Sequence, residues 1–179
     1  MALNTSIKAG LAYPWQKPVR LWNILWLFVP IFGWLALYGY LRKIDLALVD
    51  SQYEYPAFGS PLSNFVAGLK FFIFMIPTFI VLSVLDFIPL VGSVLSLLFM
   101  LIFVPWLILN YFVKDTFSAL WELDRAFKVI SEHGKEYVIV LLKTYLYIIV
   151  YVLLSLVIIG IPGLLGSYYY LADFYRKYR

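Results

Sequence analysis

Few side chains in this sequence are equipped for chemistry, and their spacing keeps them apart. Among 179 residues there is one histidine, His133, and no cysteine. A transition-metal site with one imidazole and no thiolate needs several carboxylates gathered beside it. Ser131-Glu132-His133-Gly134 reads instead as a helix end at the surface, so no metal site is expected. Glu122 and Asp124 stand two positions apart, which places them on different sides of a helix and makes a poor acid–base pair. No Gly-rich phosphate loop with Gly-Lys-Ser/Thr occurs, and Ser60, Ser63 and Ser83 lack the strand–turn–helix setting of a nucleophilic serine. The chain is therefore expected to be no enzyme, with no catalytic residue, no cofactor and no nucleic-acid partner.

The charges worth watching lie inside apolar runs: Asp86, Lys70 and Lys143. An ionisable group within a membrane marks a functional site by default. Asp86 is the strongest of the three, although an acid three residues before Pro89 also fits an interfacial turn. Lys70 and Lys143 fit interfacial anchors whose long stems reach back to the headgroups. Asn110 is placed to hydrogen-bond a neighbouring helix.

The elements that position these groups are apolar helices. Hydrophobic residues make up 64% of the chain and charged residues 13%, about half the charged fraction of a soluble domain. A water-soluble fold of this size could not hide that much apolar surface. After a polar tail at 1–19, residues 20–179 form a single membrane domain, with segments expected at 21–41, 65–88, 90–113, 137–161 and, shorter, 164–178. Each of the longer runs supplies the roughly 20 helical residues that a bilayer core requires. Residues 115–131 predict an amphipathic interfacial helix. Asp115 would cap it, its apolar face would be Phe117, Leu120, Trp121, Leu123, Phe127 and Ile130, and His133-Gly134 would end it. Ser63 or Asn64 would cap the helix beginning at Phe65. Residues 44–49 continue the first segment along the surface, with Asp45 and Asp50 facing water. The abundant Tyr and Trp point to membrane–water interfaces.

Three of the apolar runs are broken alike: Pro30-x-x-Gly33, Pro89-x-x-Gly92, and Pro162 with Gly166 four residues on. Pro lacks an amide donor and Gly tolerates unusual backbone angles, so each pair suits a turn between helices. The expected class is all-α, a polytopic helical integral membrane protein built from Pro-x-x-Gly-broken hairpins plus the interfacial helix. Residues 21–41 can cross once or fold back at Pro30. Folding back collects Lys8, Lys17, Arg20, Arg42, Lys43 and the basic residues at 114–135 and 176–179 on one side. The positive-inside rule then makes that side, and both termini, cytoplasmic.

Tyr13-Pro14, Trp22-Asn23, Pro30-Ile31-x-Gly33 and Gly39-Tyr40-x-Arg42 open the chain in a recognisable order. Gly68-Leu69-Lys70, the stretch from Pro105 to Tyr111, Phe117-Ser118-Ala119, the Phe127 helix and Tyr137 continue it. Together they resemble an uncharacterised archaeal and bacterial membrane family, domain of unknown function 4013, over most of the chain. The sequence departs from that pattern at Tyr55-Pro56-Ala57-Phe58, where the family tends to carry Leu-Pro followed by Trp or Asp. The resemblance implies a polytopic membrane protein without an established activity.

The function expected is an accessory or scaffolding subunit of a membrane complex, located in the cell membrane. Its partners would be the bilayer and other membrane proteins or further copies of itself. The alternatives are an oligomeric small-solute transporter or channel, and a hairpin protein that shapes the membrane.

Overall fold

A computed structural model describes residues 6–156 and 160–179. The described residues are helical, with no strand among them. Helix α1 (Ile7–Ala12) is capped by the Ser6 hydroxyl, which accepts from the Ala9 amide. Two 3-10 stretches follow, Tyr13–Gln16 and Pro18–Phe28, and then α2 (Phe32–Val49) and α3 (Pro61–Asp86). The chain continues through α4 (Val91–Ile102), α5 (Val104–Lys114), a 3-10 turn at Phe117–Trp121, α6 (Leu123–Glu132) and α7 (Gly134–Ser155). It closes with α8 (Ile161–Leu164) and α9 (Tyr169–Tyr178). Helices α3 and α7 are long and apolar enough to cross a membrane, and α4 with α5 makes a third candidate as one bent span.

Two of the three expected turns share one backbone geometry. Ile31 has φ 62° and ψ −66°, and Leu90 has φ 62° and ψ −57°. Each is the centre of a γ-turn, with Phe32 donating to the Pro30 carbonyl at 2.6 Å and Val91 to the Pro89 carbonyl at 2.7 Å. The glycine of each motif then slips beneath the preceding arm. A Cβ on Gly33 would lie 1.8 Å from the Trp26 carbonyl oxygen, and one on Gly92 would lie 1.8 Å from that of Leu85. The third motif is different: Pro162 and Gly163 lie inside the right-handed helical turn α8. The end of the segment expected at 137–161 falls partly at 157–159, outside the described residues.

Several boundaries differ from those expected. The segment at 21–41 is a 3-10 arm, a turn and the start of α2; the arm lies against α2, where Trp34 Nε1 donates to the Leu27 carbonyl at 2.9 Å. Helix α3 starts at Pro61 with Ser60 as its cap, so Ser63 and Asn64 lie inside the helix. The segment at 90–113 bends by 46° between α4 and α5. Pro105 causes the bend, because it has no amide to donate to Leu101 and its ring crowds that carbonyl. Tyrosines of α7 satisfy the freed acceptors: the Tyr145 hydroxyl donates to the Leu101 carbonyl and that of Tyr137 to Ile102. The amphipathic helix is shorter than 115–131. It spans only α6, because Asp115 adopts a left-handed conformation (φ 54°, ψ 28°) that closes α5 instead of capping a new helix.

The packing is inverted relative to a water-soluble protein. On α7 the buried stripe is Tyr137, Leu141, Thr144, Tyr147 and Tyr151, whereas Val138, Ile139, Leu142, Leu146, Ile149 and Val152 are exposed. Helix α3 buries Asn64, Gly68 and Thr78 and exposes Val66, Phe72, Ile73, Ile76 and Ile80. Helix α4 buries only Gly92 and Ser96. Many tyrosines expected at an interface are interior: Tyr13, Tyr40, Tyr55, Tyr111, Tyr137, Tyr147, Tyr151, Tyr170 and Tyr175 are all at most 1% exposed. The core centres on α9, whose Tyr169, Tyr170, Leu171, Ala172, Phe174 and Tyr175 are buried against α2, α5 and α7.

Gly92→Ala is expected to lower stability by about 1–3 kcal/mol through the forced separation of its arms. Gly134→Ala has no heavy atom within 4 Å of its new Cβ and should be neutral or stabilising by up to about 1 kcal/mol. Thermal unfolding in detergent, followed by tryptophan fluorescence, distinguishes the two. Tyr137→Phe should cost about 1–3 kcal/mol in the same assay, because it strands the Ile102 carbonyl.

Candidate functional site

The charged residues singled out in the sequence are not brought together. Asp86 is exposed at the C-terminus of α3, in the last residue of the helix. Lys70 lies 16 residues earlier on the same helix, a separation of about 24 Å along its axis. Its ammonium pairs with the Asp115 carboxylate at 2.9 Å and donates to the Asp115 carbonyl at 3.1 Å. Arg42 reaches the same carboxylate at 3.2 Å and donates to the Phe112 carbonyl. Asp115 thus clamps α2 and α3 to the end of α5, where cations also suit the negative pole of the helix. Lys143 lies 5.9 Å from the Tyr170 ring centroid. His133 stacks on Tyr178 at 3.7 Å between ring centroids, at the end of α6 where a surface histidine was expected.

A second polar network surrounds Asn110, which is fully buried. Its carbonyl oxygen accepts from the Tyr175 hydroxyl at 2.7 Å, and its amide donates to the Ala119 carbonyl and to Glu122. Glu122 also binds Lys114. Burial opposes ionisation of Glu122, but hydrogen bonds from Lys114 and Asn110 outweigh it and hold its carboxyl below the usual range. Every group in this network is answered by a partner, so its effect is to tie α5, α6 and α9 together. Asn110 is a packing residue, as its sequence position indicated.

Among the described residues, Thr78, Trp106, Tyr111 and Thr144 keep a buried polar atom without a hydrogen-bond partner, and so does the carboxylate of Asp45. Instead of facing water it is 0% exposed, and neither carboxylate oxygen has a hydrogen-bond partner. The hydroxyls of Tyr13 and Tyr55, both within electrostatic reach of it, are also buried without partners among the described residues. Four parts of the chain converge here. Asp45 comes from α2, Tyr13 from the N-terminal 3-10 turn, Tyr55 from the loop at 51–60, and Tyr168 and Tyr169 from the lead into α9. The rings interlock: Tyr13 lies 5.2 Å from both Tyr55 and Tyr169, and Tyr40 lies 6.2 Å from Tyr55. An ionised carboxylate is costly at this position, because it is fully buried and taking a charge out of water disfavours the ionised form.

On the outer side of Tyr55 a cleft of about 360 Å³ is lined by Arg20, Gln52, Glu54, Tyr55, Pro56 and Ala57. Glu54 pairs there with Lys17 at 3.2 Å and with Arg20 at 3.6 Å. A larger, apolar groove of about 430 Å³ runs beside α2, with Leu27, Trp34, Leu37 and Leu41 on one wall and Leu164 and Leu165 on the other. Sequence reading missed Asp45, although a signal existed. Leu37, Leu41 and Asp45 are four residues apart, and Leu48 continues the stripe, so Asp45 stands on the apolar face of the helix.

No protein-family model, no curated protein and no solved structure matches this chain. The functional reading therefore rests on the geometry.

Asn110→Ala should cost about 2–3 kcal/mol, because it leaves the Tyr175 hydroxyl and the Ala119 carbonyl buried without partners. Asp115→Asn removes a partly exposed ion pair and should cost less than about 1 kcal/mol, with the deficit shrinking as salt is raised. Thermal unfolding of the two variants at low and high salt measures both effects.

Proposed function

We propose that this chain is a small multi-pass protein of the cell membrane that acts without catalysis, as an accessory or scaffolding subunit of a membrane complex. The observation that carries this reading is the inverted burial of α3, α4 and α7. The buried positions of these helices include Asn64, Gly68, Thr78, Gly92, Ser96 and Thr144, while most of their aliphatic positions face outward. Such an arrangement is favourable in lipid, where polar groups must be satisfied internally, and costly in water.

The distribution of charge supports the same reading. The pairs Lys17–Glu54, Arg42–Asp115, Lys114–Glu122 and Lys177–Glu136 involve no residue of α3 or α4 and only the first turn of α7. The chain reversals instead carry exposed apolar side chains: Phe28, Ile31, Phe87, Leu90 and Leu156. In the proposed topology α3 and the bent α4–α5 pair form a hairpin, α7 crosses again, and the arm at 18–28 with α2 forms a shorter hairpin. The basic end and both termini face the cytoplasm, in keeping with the positive-inside rule. The exposed aliphatic faces of α3 and α7 would meet lipid or the helices of a partner membrane protein, including a second copy. Kinship with domain of unknown function 4013 is part of this proposal and rests on the short motifs quoted above. Transport draws no support from Asp86, which is exposed at a helix end with no polar partner.

The chain has no native cysteine, so single cysteines report topology without background. With a membrane-impermeant maleimide on intact cells, Asp86→Cys is expected to label, whereas Gln52→Cys and Glu132→Cys label only after permeabilisation. Labelling of Gln52→Cys or Glu132→Cys from outside would overturn the orientation. Recovery of the whole chain in a carbonate-washed soluble fraction would overturn membrane integration.

A further inference from the structure

An aspartate with both oxygens buried and unpartnered is costly to keep ionised, and among the described residues no cation pairs with it. Within electrostatic reach of Asp45 are Tyr13 of the N-terminal segment, Tyr55 of the loop at 51–60 and Tyr168 before α9. Around those tyrosines in turn stand Arg20, Tyr40 on α2, Tyr151 on α7 and Tyr169 on α9. Arg20 is turned toward Glu54, 3.6 Å away in the outer cleft. Its charge reaches Tyr13 and Tyr40, while burial alone governs Asp45. The phenols remain neutral, since burial raises their hydroxyls further from ionisation. A metal cation would need about six oxygen ligands around it. One carboxylate and two phenols fall short, and among the described residues no group of three acidic or imidazole side chains comes together.

We propose that Asp45 is a proton-binding site, loaded from the aqueous phase through the Arg20–Glu54 cleft, and that its proton latches the N-terminal segment and the 51–60 loop onto α2. In the loaded state a carboxylate oxygen carries the proton and the neutral acid stays beneath Tyr13 and Tyr55. On unloading, the O–H bond breaks, its electron pair stays on the carboxylate, and the proton passes to water in the cleft. In the closed geometry neither the Tyr13 nor the Tyr55 hydroxyl is hydrogen-bonded to the carboxylate, so the resulting anion gains solvation only if these side chains move. Both lie on segments held by few strong contacts. The loop is fastened through Tyr40, Lys43 and Asn64, which donate to the carbonyls of Pro56 and Phe58. The N-terminal segment is fastened through Tyr151 and Tyr170, which donate to the carbonyls of Leu11 and Ile7, and through Trp15, which donates to the Tyr151 hydroxyl. The partly exposed pairs of Lys17 and Arg20 with Glu54 join it to the loop, with which it would move.

The sign of the pH dependence follows from linkage. The folded state holds the Asp45 proton more tightly than the unfolded chain does, so the stability it contributes is complete at acid pH and declines as pH rises above the ordinary range of an aspartate. The thermal midpoint of the purified full chain in detergent should therefore fall between about pH 5 and about pH 9. Asp45→Asn, a permanently neutral isostere, should flatten that fall. Opening is read separately with Val49→Cys, one helical turn from Asp45 and buried in the native protein. Its maleimide rate, divided by that of the exposed Gln52→Cys, should rise up to about ten-fold per pH unit for release of one proton, and Asp45→Asn in the same background should abolish the rise. If Asp45→Asn fails to fold, the rate ratio in the Asp45-containing protein still decides: a ratio independent of pH overturns the latch. A wild-type pH profile that Asp45→Asn reproduces also overturns it. A midpoint raised by sodium over choline at fixed pH would replace the proton with a metal cation and overturn the assignment.

Discussion

The constraint on which this structure depends is that each interrupted helix leaves carbonyls without an amide partner in the helix. Tyrosine hydroxyls answer them. Tyr145 and Tyr137 take the Leu101 and Ile102 carbonyls released by Pro105, Tyr147 takes that of Gly163, and Tyr151 and Tyr170 take those of Leu11 and Ile7. A phenol suits the task because its ring fills apolar space while its single donor reaches one acceptor. Five of the 15 tyrosines thus form a scaffold for a broken backbone. The bend between α4 and α5 and the short helix α8 are stable for the same reason.

How much was legible in the sequence depended on how local each cause was. The turns at Pro30 and Pro89 were readable because Pro and Gly act on their own backbone, and both became γ-turns with a glycine pressed against the preceding arm. The third motif looked alike, but Tyr151 and Tyr147 crowd Gly163 and Gly166 and the chain coils there as α8. Pro105 was visible, yet an unbroken apolar run hid its effect. Asp115 was read as a cap because acids commonly start helices. Ion pairs to Arg42 and Lys70, distant in sequence, hold it at the end of α5. Asp45 was misplaced because neighbouring charges made residues 42–50 look like a surface helix, and its cover of Tyr13, Tyr55 and Tyr169 is assembled from remote segments.

Polar groups in this molecule thus fall into two kinds. Asn110, Glu122, Lys114 and Tyr175 form a closed set in which each buried donor finds an acceptor, and such sets fix the relative positions of helices. Asp45, Tyr13 and Tyr55 form an open set with donors and acceptors unmatched. The first kind is what a scaffold needs. The second marks the place where the fold retains a cost that packing alone does not explain.

The position of α9 in the chain has a consequence for biogenesis. Helices α2, α3, α5 and α7 all leave the ribosome before α9, yet α9 supplies the side chains that fill the space between three of them. During translation the earlier helices form while the space between them is unfilled. The core can close only once Tyr169–Tyr178 has emerged, and a nascent chain stalled before residue 169 would carry that space open.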